Sequence, residues 1–409
     1  MEIYKKIILM NKTSFKPCII GLGYVGLPIL INLSKKYDVI GYDINKNRVE
    51  NLKKGKDFFN EFKRKDLVNK KIKYTNNSSL IKSANLYIVS VPTPILKNKK
   101  PDLKHLKDVC INLSKILKKK DIIIFESTVY PGLTNDYCIP LLEKYNKFEE
   151  GIDFFVGYSP ERVNPGDKKH NLVNINKIFA YPYLYKKKEL KLIYAALCKK
   201  LIFSKNIREA ETAKVIENIQ RDVNIGLINE IYLVCKKLNI DFKNVIKLAS
   251  SKWNFIKFNP GLVGGHCLPV DPYYFAHISK KMKINSKITL AGRAINDSMM
   301  KFVYNKIVSV MKKHKDKKIL ICGLTYKENV SDLRNSLALE IFIKLKKNFP
   351  HVQGFDPIIN NKILNKFSII TQLNRFNNFD IYVPITKHHK LQKMLKLLPK
   401  NKIVLNILN

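Results

Sequence analysis

The 409-residue sequence has no run near the roughly 18 consecutive apolar residues that a membrane-spanning helix needs. It holds no CxxC pair, zinc-finger spacing, RGG repeat or Ser/Gly/Pro-rich linker. Its seven cysteines (Cys18, Cys110, Cys138, Cys198, Cys235, Cys267, Cys322) are odd in number and scattered, so neither a disulfide framework nor a zinc site is expected. The opening MEIYKKIILMNKTSFK lacks the apolar core and cleavage site of a secretory signal, and a cytoplasmic location is expected. Acidic residues are scarce, 33 Asp and Glu against 75 Lys and Arg, for a net charge of +42. That excess invites a polyanion partner, and a basic non-enzymatic binding protein is one reading of it. The lysines are spread through the chain, with KKK at 118–120 and 186–188, and no aromatic-plus-basic RNA motif accompanies them. The expectation is diffuse, salt-sensitive polyanion affinity with no specific nucleic acid and no membrane. With 45% hydrophobic and 26% charged residues, the chain is globular and long enough for two or three domains.

The chain opens as strand, tight turn, helix, strand. The apolar run Lys16–Ile20 leads into Gly21-Leu22-Gly23-Tyr24-Val25-Gly26 and a helical stretch through Leu33, and Asp38–Asp43 is a second strand ending in a carboxylate. Further strands at Leu86–Val91, Ile122–Glu126 and Phe154–Tyr158 end in the loops VPTP, STVYPG and SPERVNPG. This alternation predicts an α/β fold, an N-terminal Rossmann domain with a doubly wound parallel sheet and functional residues at the strands' carboxyl ends. From Glu209 to about Lys237 only Gly226 interrupts a helical pattern, which predicts a long central helix. Residues 240–300 read as mostly helical, broken by the Gly-rich loop Asn259–Cys267. Strands at Lys318–Gly323, Val352–Asp356, Ile381–Val383 and Ile403–Leu405 then predict a second, Rossmann-like α/β domain. The expected divisions are 1–205, a helical middle domain at 206–312, and 313–409.

GLGYVG matches GxGxxG in the context that gives the pattern meaning, after a strand and opening a helix, with Asp43 22 residues beyond Gly21. Gly21 permits the turn, Gly23 lets a pyrophosphate approach the backbone, and Gly26 allows close helix packing. Asp43 can accept hydrogen bonds from both ribose hydroxyls and repels a 2′-phosphate, so NAD is favoured over NADP. Lys214 and Asn218 are four residues apart on one helical face and could support an alkoxide, with Arg221 a turn further on. Taken alone, the same spacing describes a solvated face. The segment Pro260–Pro272 presents one thiol, Cys267, after three glycines, with Asp271 four residues on. Of the seven cysteines it has the best case as a nucleophile, a buried structural thiol being the other reading. His266 is read as a backbone-placing residue, because adjacent side chains diverge.

The motifs GLGYVG, VPTP, STVYPG, SPERVNPG, AKVIEN, GGHCLPVDPYY and GLTYKENVSDLRNS follow one another over roughly residues 16–360 and together resemble the nucleotide-sugar 6-dehydrogenase family. The resemblance implies oxidation of a UDP-sugar's C6 hydroxyl to a carboxylate with two NAD, for surface polysaccharide precursors. SPERVNPG and KWNFIKFNPGLVGGHC are similar to the N-acetylhexosamine branch, that of UDP-N-acetylglucosamine in particular. The glucose branch carries a second Glu where this chain has Pro165. UDP-glucose and UDP-N-acetylmannosamine remain alternative substrates. A β-hydroxyacid dehydrogenase would share the Rossmann domain and the Lys-xxx-Asn helix, but needs no Gly-rich Cys loop.

By resemblance, Cys267 is the nucleophile, Lys214 and Asn218 stabilise the reacting oxygen, Asp271 orders the site and Glu161 is the hydrolytic base. Gly21, Gly23, Tyr24, Val25, Gly26, Asp43, Arg48, Thr93, Thr128 and Arg334 fall where the family holds NAD. Arg162, Val163, Lys214, Asn218, Arg221, Gly264 and Lys327 fall where it holds the UDP-sugar. No metal is implied, and a homodimer is. Three departures stand out: Val270 replaces a Lys of the glucose branch, Phe179-Ala180-Tyr181 replaces a small Gly-containing turn, and the tail reads PITKHHKL rather than Ala-Val-x-His.

Asp43 generates the first testable expectation. Steady-state kinetics should give a higher kcat/KM with NAD than with NADP, and equal values would overturn the assignment of Asp43.

Overall fold

A computed structural model describes residues 15–58, 61–163, 167, 171–359, 369–370 and 373–408. The first 14 residues and Asn164, Pro165 and Gly166 of SPERVNPG lie outside the described residues. The chain divides into two compact units, Met1–Val215 and Ile216–Asn409.

The first unit is built on eight strands: β1 (Pro17–Ile20), β2 (Val39–Tyr42), β3 (Ile72–Thr75), β4 (Leu86–Val89), β5 (Ile122–Phe125), β6 (Phe155–Tyr158), β7 (Asn176–Ala180) and β8 (Lys200–Ser204). Their spatial order is β3-β2-β1-β4-β5-β6-β7-β8. The run from β3 to β6 is parallel, whereas β7 pairs antiparallel with β6 and β8 runs parallel to β7. All four residues of β1, β4, β5 and β6 are buried, as in a parallel sheet covered on both faces. The strand order reverses between β1 and β4, and the crevice at their carboxyl ends is the ligand position of a doubly wound sheet. Gly21, at φ +91°, sits at that point, where a Cβ would lie 2.9 Å from the Ser90 carbonyl oxygen.

The second unit has a five-stranded sheet of order β11-β10-β9-β12-β13, made from Ile319–Cys322 (β9), Gln353–Phe355 (β10), Ile369–Ile370 (β11), Ile381–Pro384 (β12) and Ile403–Val404 (β13). It is parallel throughout and reverses between β9 and β12. Its turn glycine, Gly323 at φ +75°, packs so tightly that a Cβ would lie 1.9 Å from the Thr386 carbonyl oxygen. Ahead of this sheet in the chain come the helices Ile207–Lys237, inside which the unit boundary falls, Phe242–Ala249, Asp271–Lys281 and Lys287–Lys313, and within it come Leu337–Asn348 and His389–Lys396. The long helix thus starts two residues before the sequence-based expectation. Tyr232, Phe242, Ile246 and Met299 form a core on its second half. Between helices Phe242–Ala249 and Asp271–Lys281 runs a loop that leaves Trp253, the sole tryptophan, 92% exposed. No described helix is long and apolar enough to cross a membrane.

Gly226 now has a reason. The long helix meets helix Lys287–Lys313 backbone to backbone there, and a Cβ on Gly226 would come within 2.8 Å of the Gly292 carbonyl oxygen. In an open helix, Gly→Ala would stabilise by about 1 kcal/mol. Here Gly226→Ala should destabilise by about 1–3 kcal/mol through overpacking, read from urea unfolding. A neutral or stabilising result would show that the helices can separate at no cost.

Candidate active site

In the first unit the glycines divide their work as the sequence suggested. A Cβ on Gly26 would strike the Gly21 carbonyl oxygen, whereas nothing lies within 4 Å of the position a Cβ would take on Gly23. That open cradle faces the start of helix Gly26–Ser34, whose N-cap, Val25, makes no side-chain cap hydrogen bond. Open space beside a helix N-terminus suits an anion such as a pyrophosphate. Asp43 accepts from the backbone N–H of Leu22 (2.9 Å, Oδ2) and of Asn45 (2.9 Å, Oδ1), so the carboxylate is held at the end of β2. Arg48 fastens the same loop, its Nε donating to the Leu22 carbonyl (3.0 Å) while it pairs with buried Asp57 (2.9 Å). Thr93 donates to the Thr128 carbonyl (2.7 Å), which brings the VPTP and STVYPG loops together. These residues fit a dinucleotide.

The SPER loop follows β6. Glu161 turns back on its own loop, its Oε1 accepting from the N–H of Arg162 (2.7 Å) and Val163 (2.6 Å). Arg162 donates to the Asn176 carbonyl (3.1 Å). Two residues that the sequence reading missed lie beneath this loop. Lys177 on β7 and Glu126 after β5 form a fully buried ion pair (2.5 Å), with Glu161 Oε2 3.7 Å from the same ammonium. Burial pushes the Glu126 carboxyl up to about 7 against the pull of Lys177. Lys177 stays charged, because its two carboxylate neighbours outweigh the burial that would lower it. No local pattern announced this pair, since lysines are everywhere in the chain. Glu211, also missed, is buried on the long helix and accepts from the N–H of Gly132 (2.5 Å) and Thr134 (3.0 Å), holding the STVYPG loop.

Lys214 and Asn218 are both buried, at 6% and 5% exposure, which removes the solvated-face reading. Arg221 on the next turn is exposed. In the second unit Asn218 Nδ2 donates to Asp271 Oδ2 (2.6 Å), and Asp271 opens helix Asp271–Lys281. The Cys267 carbonyl accepts from the N–H of Val270 and Asp271, so thiol and carboxylate share one turn. Cys267 is exposed and the other six cysteines are buried.

The glycines before Cys267 lie against the GLTYKENVSDLRNS segment of the same unit. A Cβ on Gly264 would come within 2.7 Å of the Asn335 carbonyl oxygen, and one on Gly265, at φ +92°, within 2.7 Å of the Tyr326 ring. Asn335 also donates its side-chain amide to the Gly265 carbonyl (3.2 Å). His266 points to Asp332 (3.2 Å), in keeping with a backbone-placing role, and Asp332 also receives Arg334 (2.9 Å). Burial alone would raise the Asp332 carboxyl, but the bonds from His266 and Arg334 carry it well below the usual range. An acid two residues before Arg334 was the available signal for Asp332. Beside this segment, Lys243, Gly261, Gly264, Thr325, Lys327 and Lys387 line part of a cavity of about 540 Å³, a size that suits a small molecule. In the unusual tail, His388 is fully buried, bonded to Asp356 (3.1 Å) and accepting the Asn329 N–H (2.8 Å).

Three parts of the chain match known domains. Residues 15–198, 208–298 and 320–409 match the NAD binding, central and UDP binding domains of the UDP-glucose/GDP-mannose dehydrogenase family. The UDP-N-acetyl-D-glucosamine 6-dehydrogenase of Salmonella typhi is 40% identical, covering 93% of this chain and 91% of its own. That of Pseudomonas aeruginosa is 43% identical, over 84% of this chain and 82% of its own. The structure of the UDP-D-ManNAc dehydrogenase of Pyrococcus horikoshii superposes with a TM-score of 0.82 at 29% identity, covering 96% of each chain.

Asp332→Asn should cost about 1–3 kcal/mol at neutral pH, by leaving His266 and Arg334 without their anion. Because the folded-state carboxyl titrates below its unfolded value of about 3.9, its contribution is complete above that pH and is lost as pH falls below it. Urea midpoints of parent and variant should therefore converge below about pH 4, and a gap unchanged down to pH 2 would contradict the ionic role.

Proposed function

The chain belongs to the UDP-glucose/GDP-mannose dehydrogenase family, and from that premise we propose that this NAD-dependent dehydrogenase oxidises the C6 hydroxyl of a UDP-N-acetylhexosamine, UDP-N-acetylglucosamine foremost, to the uronic acid. The N-acetylglucosamine enzymes at 40–43% identity support that sugar over mannosamine, whose dehydrogenases from Methanocaldococcus jannaschii and Campylobacter jejuni reach 33–34%. The observation that carries the reading is the exposed Cys267, one turn from an Asp271 that is bonded to Asn218.

Two NAD molecules, bound in succession, would supply the hydride acceptors, one for each oxidation. Lys214 takes the proton of the C6 hydroxyl and, with the Asn218 amide, stabilises the developing negative oxygen. Asp271 fixes the Asn218 amide so that its remaining N–H is presented in one direction. The Cys267 thiolate adds to the C6 aldehyde, and the new C–S bond gives a thiohemiacetal. Loss of the second hydride leaves a thioester. Water then adds to the thioester carbon as Glu161 accepts its proton, and Cys267 departs as thiolate. Covalent capture keeps the aldehyde from escaping between the two oxidations. A cytoplasmic homodimer complete the reading together with the division at residues 205 and 312, the exposed Leu227 and Val234 of the long helix supporting association.

Counting NADH per UDP-sugar consumed tests the reaction. Two are expected, one would indicate a simple alcohol dehydrogenase, and none a binding protein. UDP-N-acetylglucosamine should be turned over faster than UDP-glucose or UDP-N-acetylmannosamine in a substrate panel. Cys267→Ala should keep binding of both ligands and lose at least about a thousandfold in acid formation, each tenfold being about 1.4 kcal/mol of barrier. Acid formation at the parent rate would rule out the thioester.

A further inference from the structure

The buried lysine under the SPER loop has more partners than charge balance requires. Lys177 is 1% exposed, and its ammonium faces three acceptors: Glu126 Oε2 at 2.5 Å, the Pro160 carbonyl at 3.2 Å and Glu161 Oε2 at 3.7 Å. Glu126 alone would neutralise it. The other two acceptors belong to neighbouring residues of one loop, and Arg162 of that loop bonds the Asn176 carbonyl next to Lys177. A strand residue thus joins the end of β5 to the loop that carries Glu161, Arg162 and Val163. Tyr194, fully buried on helix Lys187–Ala195, adds its hydroxyl beside Glu126.

Such an arrangement is a costly way to hold a fold together. Replacing a buried ion pair by apolar side chains of similar volume is often neutral or stabilising, so stability alone gives no reason for a lysine here. What the lysine supplies, and a methionine cannot, is a fixed point for the second carboxylate. Glu161 is held at both oxygens, Oε1 by two N–H groups of its own loop and Oε2 by the ammonium.

We propose that Lys177 is a positioning residue for the hydrolytic half of the reaction, holding the Glu161 carboxylate and the Pro160 backbone in the orientation in which Glu161 acts on the thioester. The proposal rests on the reading that Glu161 activates the attacking water. It assigns Lys177 no contact with substrate: the lysine acts through Glu161.

Lys177→Met alone would strand Glu126 as an unpaired buried acid and could unfold the unit. The test therefore uses Lys177→Met with Glu126→Gln, which removes both charges together, and Lys177→Arg, which keeps the cation. Thermal unfolding checks that each is folded. Steady-state kinetics with UDP-N-acetylglucosamine and NAD, and intact-mass detection of sugar bound to Cys267 during turnover, supply the readouts. The charge-free double variant should lose about tenfold or more in kcat, lower its KM for the UDP-sugar in step so that kcat/KM stays within about twofold of the parent, and accumulate the covalent adduct, because hydrolysis has become the slow step. Lys177→Arg should recover most of kcat and show little adduct.

Parent-like turnover by the folded double variant, or loss of kcat without adduct, overturns the proposal. Glu161→Gln separates that failure from failure of the underlying reading. If Glu161→Gln accumulates adduct and the double variant does not, Glu161 stands and the role of Lys177 falls. If Glu161→Gln turns over like the parent with no adduct, the water-activating role of Glu161 falls and takes the proposal with it.

Discussion

A carboxylate at the end of a strand, taking the backbone N–H of the loop beside it, recurs in both units and sets the geometry of both sheet crevices. In the first unit Asp43 after β2 accepts from Leu22, and in the second Asp356 after β10 accepts from Leu324 (2.6 Å). The other oxygen of each carboxylate turns to a residue two further along, Asn45 or Ile358. Each joint ties the first strand–helix loop to the strand on one side, while on the other side Gly21 meets Ser90 and Gly323 meets Thr386 with no room for a Cβ. The two copies then diverge. Asp43 remains partly exposed at the mouth of its crevice, whereas Asp356 is 3% exposed and bonded to His388. In a Rossmann crevice the strand-end acid meets a ribose; in the second unit an imidazole occupies that side of it.

The Gly-rich loop before Cys267 is held differently, by polar anchors at both ends. Asn229 of the long helix clasps Gly261 through its amide, accepting the N–H (2.8 Å) and donating to the carbonyl (3.1 Å). Asn229 is in turn held by Asn296, and Asn296 by Asp222, which is paired with Arg293. At the other end Asn335 and Asp332 take Gly265 and His266. A Gly-rich loop is expensive to order in chain entropy, and these bonds offset that cost while leaving Cys267 itself exposed. The thiol is presented by a rigid frame.

Sequence pattern and structure agree where the signal was local. GLGYVG and the buried runs of β4 and β5 carry their meaning within a few residues, because turn geometry and strand burial are short-range constraints, whereas Gly226, Gly264 and Gly265 are explained only by Gly292, Asn335 and Tyr326. β3, β7, β8 and β11 were not foreseen. β7 and β8, at five residues each, are longer than the foreseen strands of their sheet, but they carry Lys177 and Lys200 within a chain whose lysines look alike in sequence. A buried lysine differs from a solvated one only through partners 16 and 51 residues away, here Glu161 and Glu126. The antiparallel entry of β7 was likewise hidden, since strand direction depends on where the SPER loop leads the chain. Lys214 and Asn218 showed the converse: their spacing was visible, and only the structure shows that the face they share is buried rather than solvated.

The exposure of Trp253 has a practical consequence. It is the chain's only indole and is already in water in the folded protein. Its intrinsic emission should therefore scarcely change when either sheet melts, and an unfolding curve followed by tryptophan fluorescence would understate the transition. Circular dichroism, which reads the helices and strands directly, is the appropriate signal for such curves, and a coincident second probe would be needed to establish two-state behaviour. The same property makes the indole a clean optical label: a shift of its emission to shorter wavelength, with the fold intact, would report that another surface has come to cover the loop on which it stands.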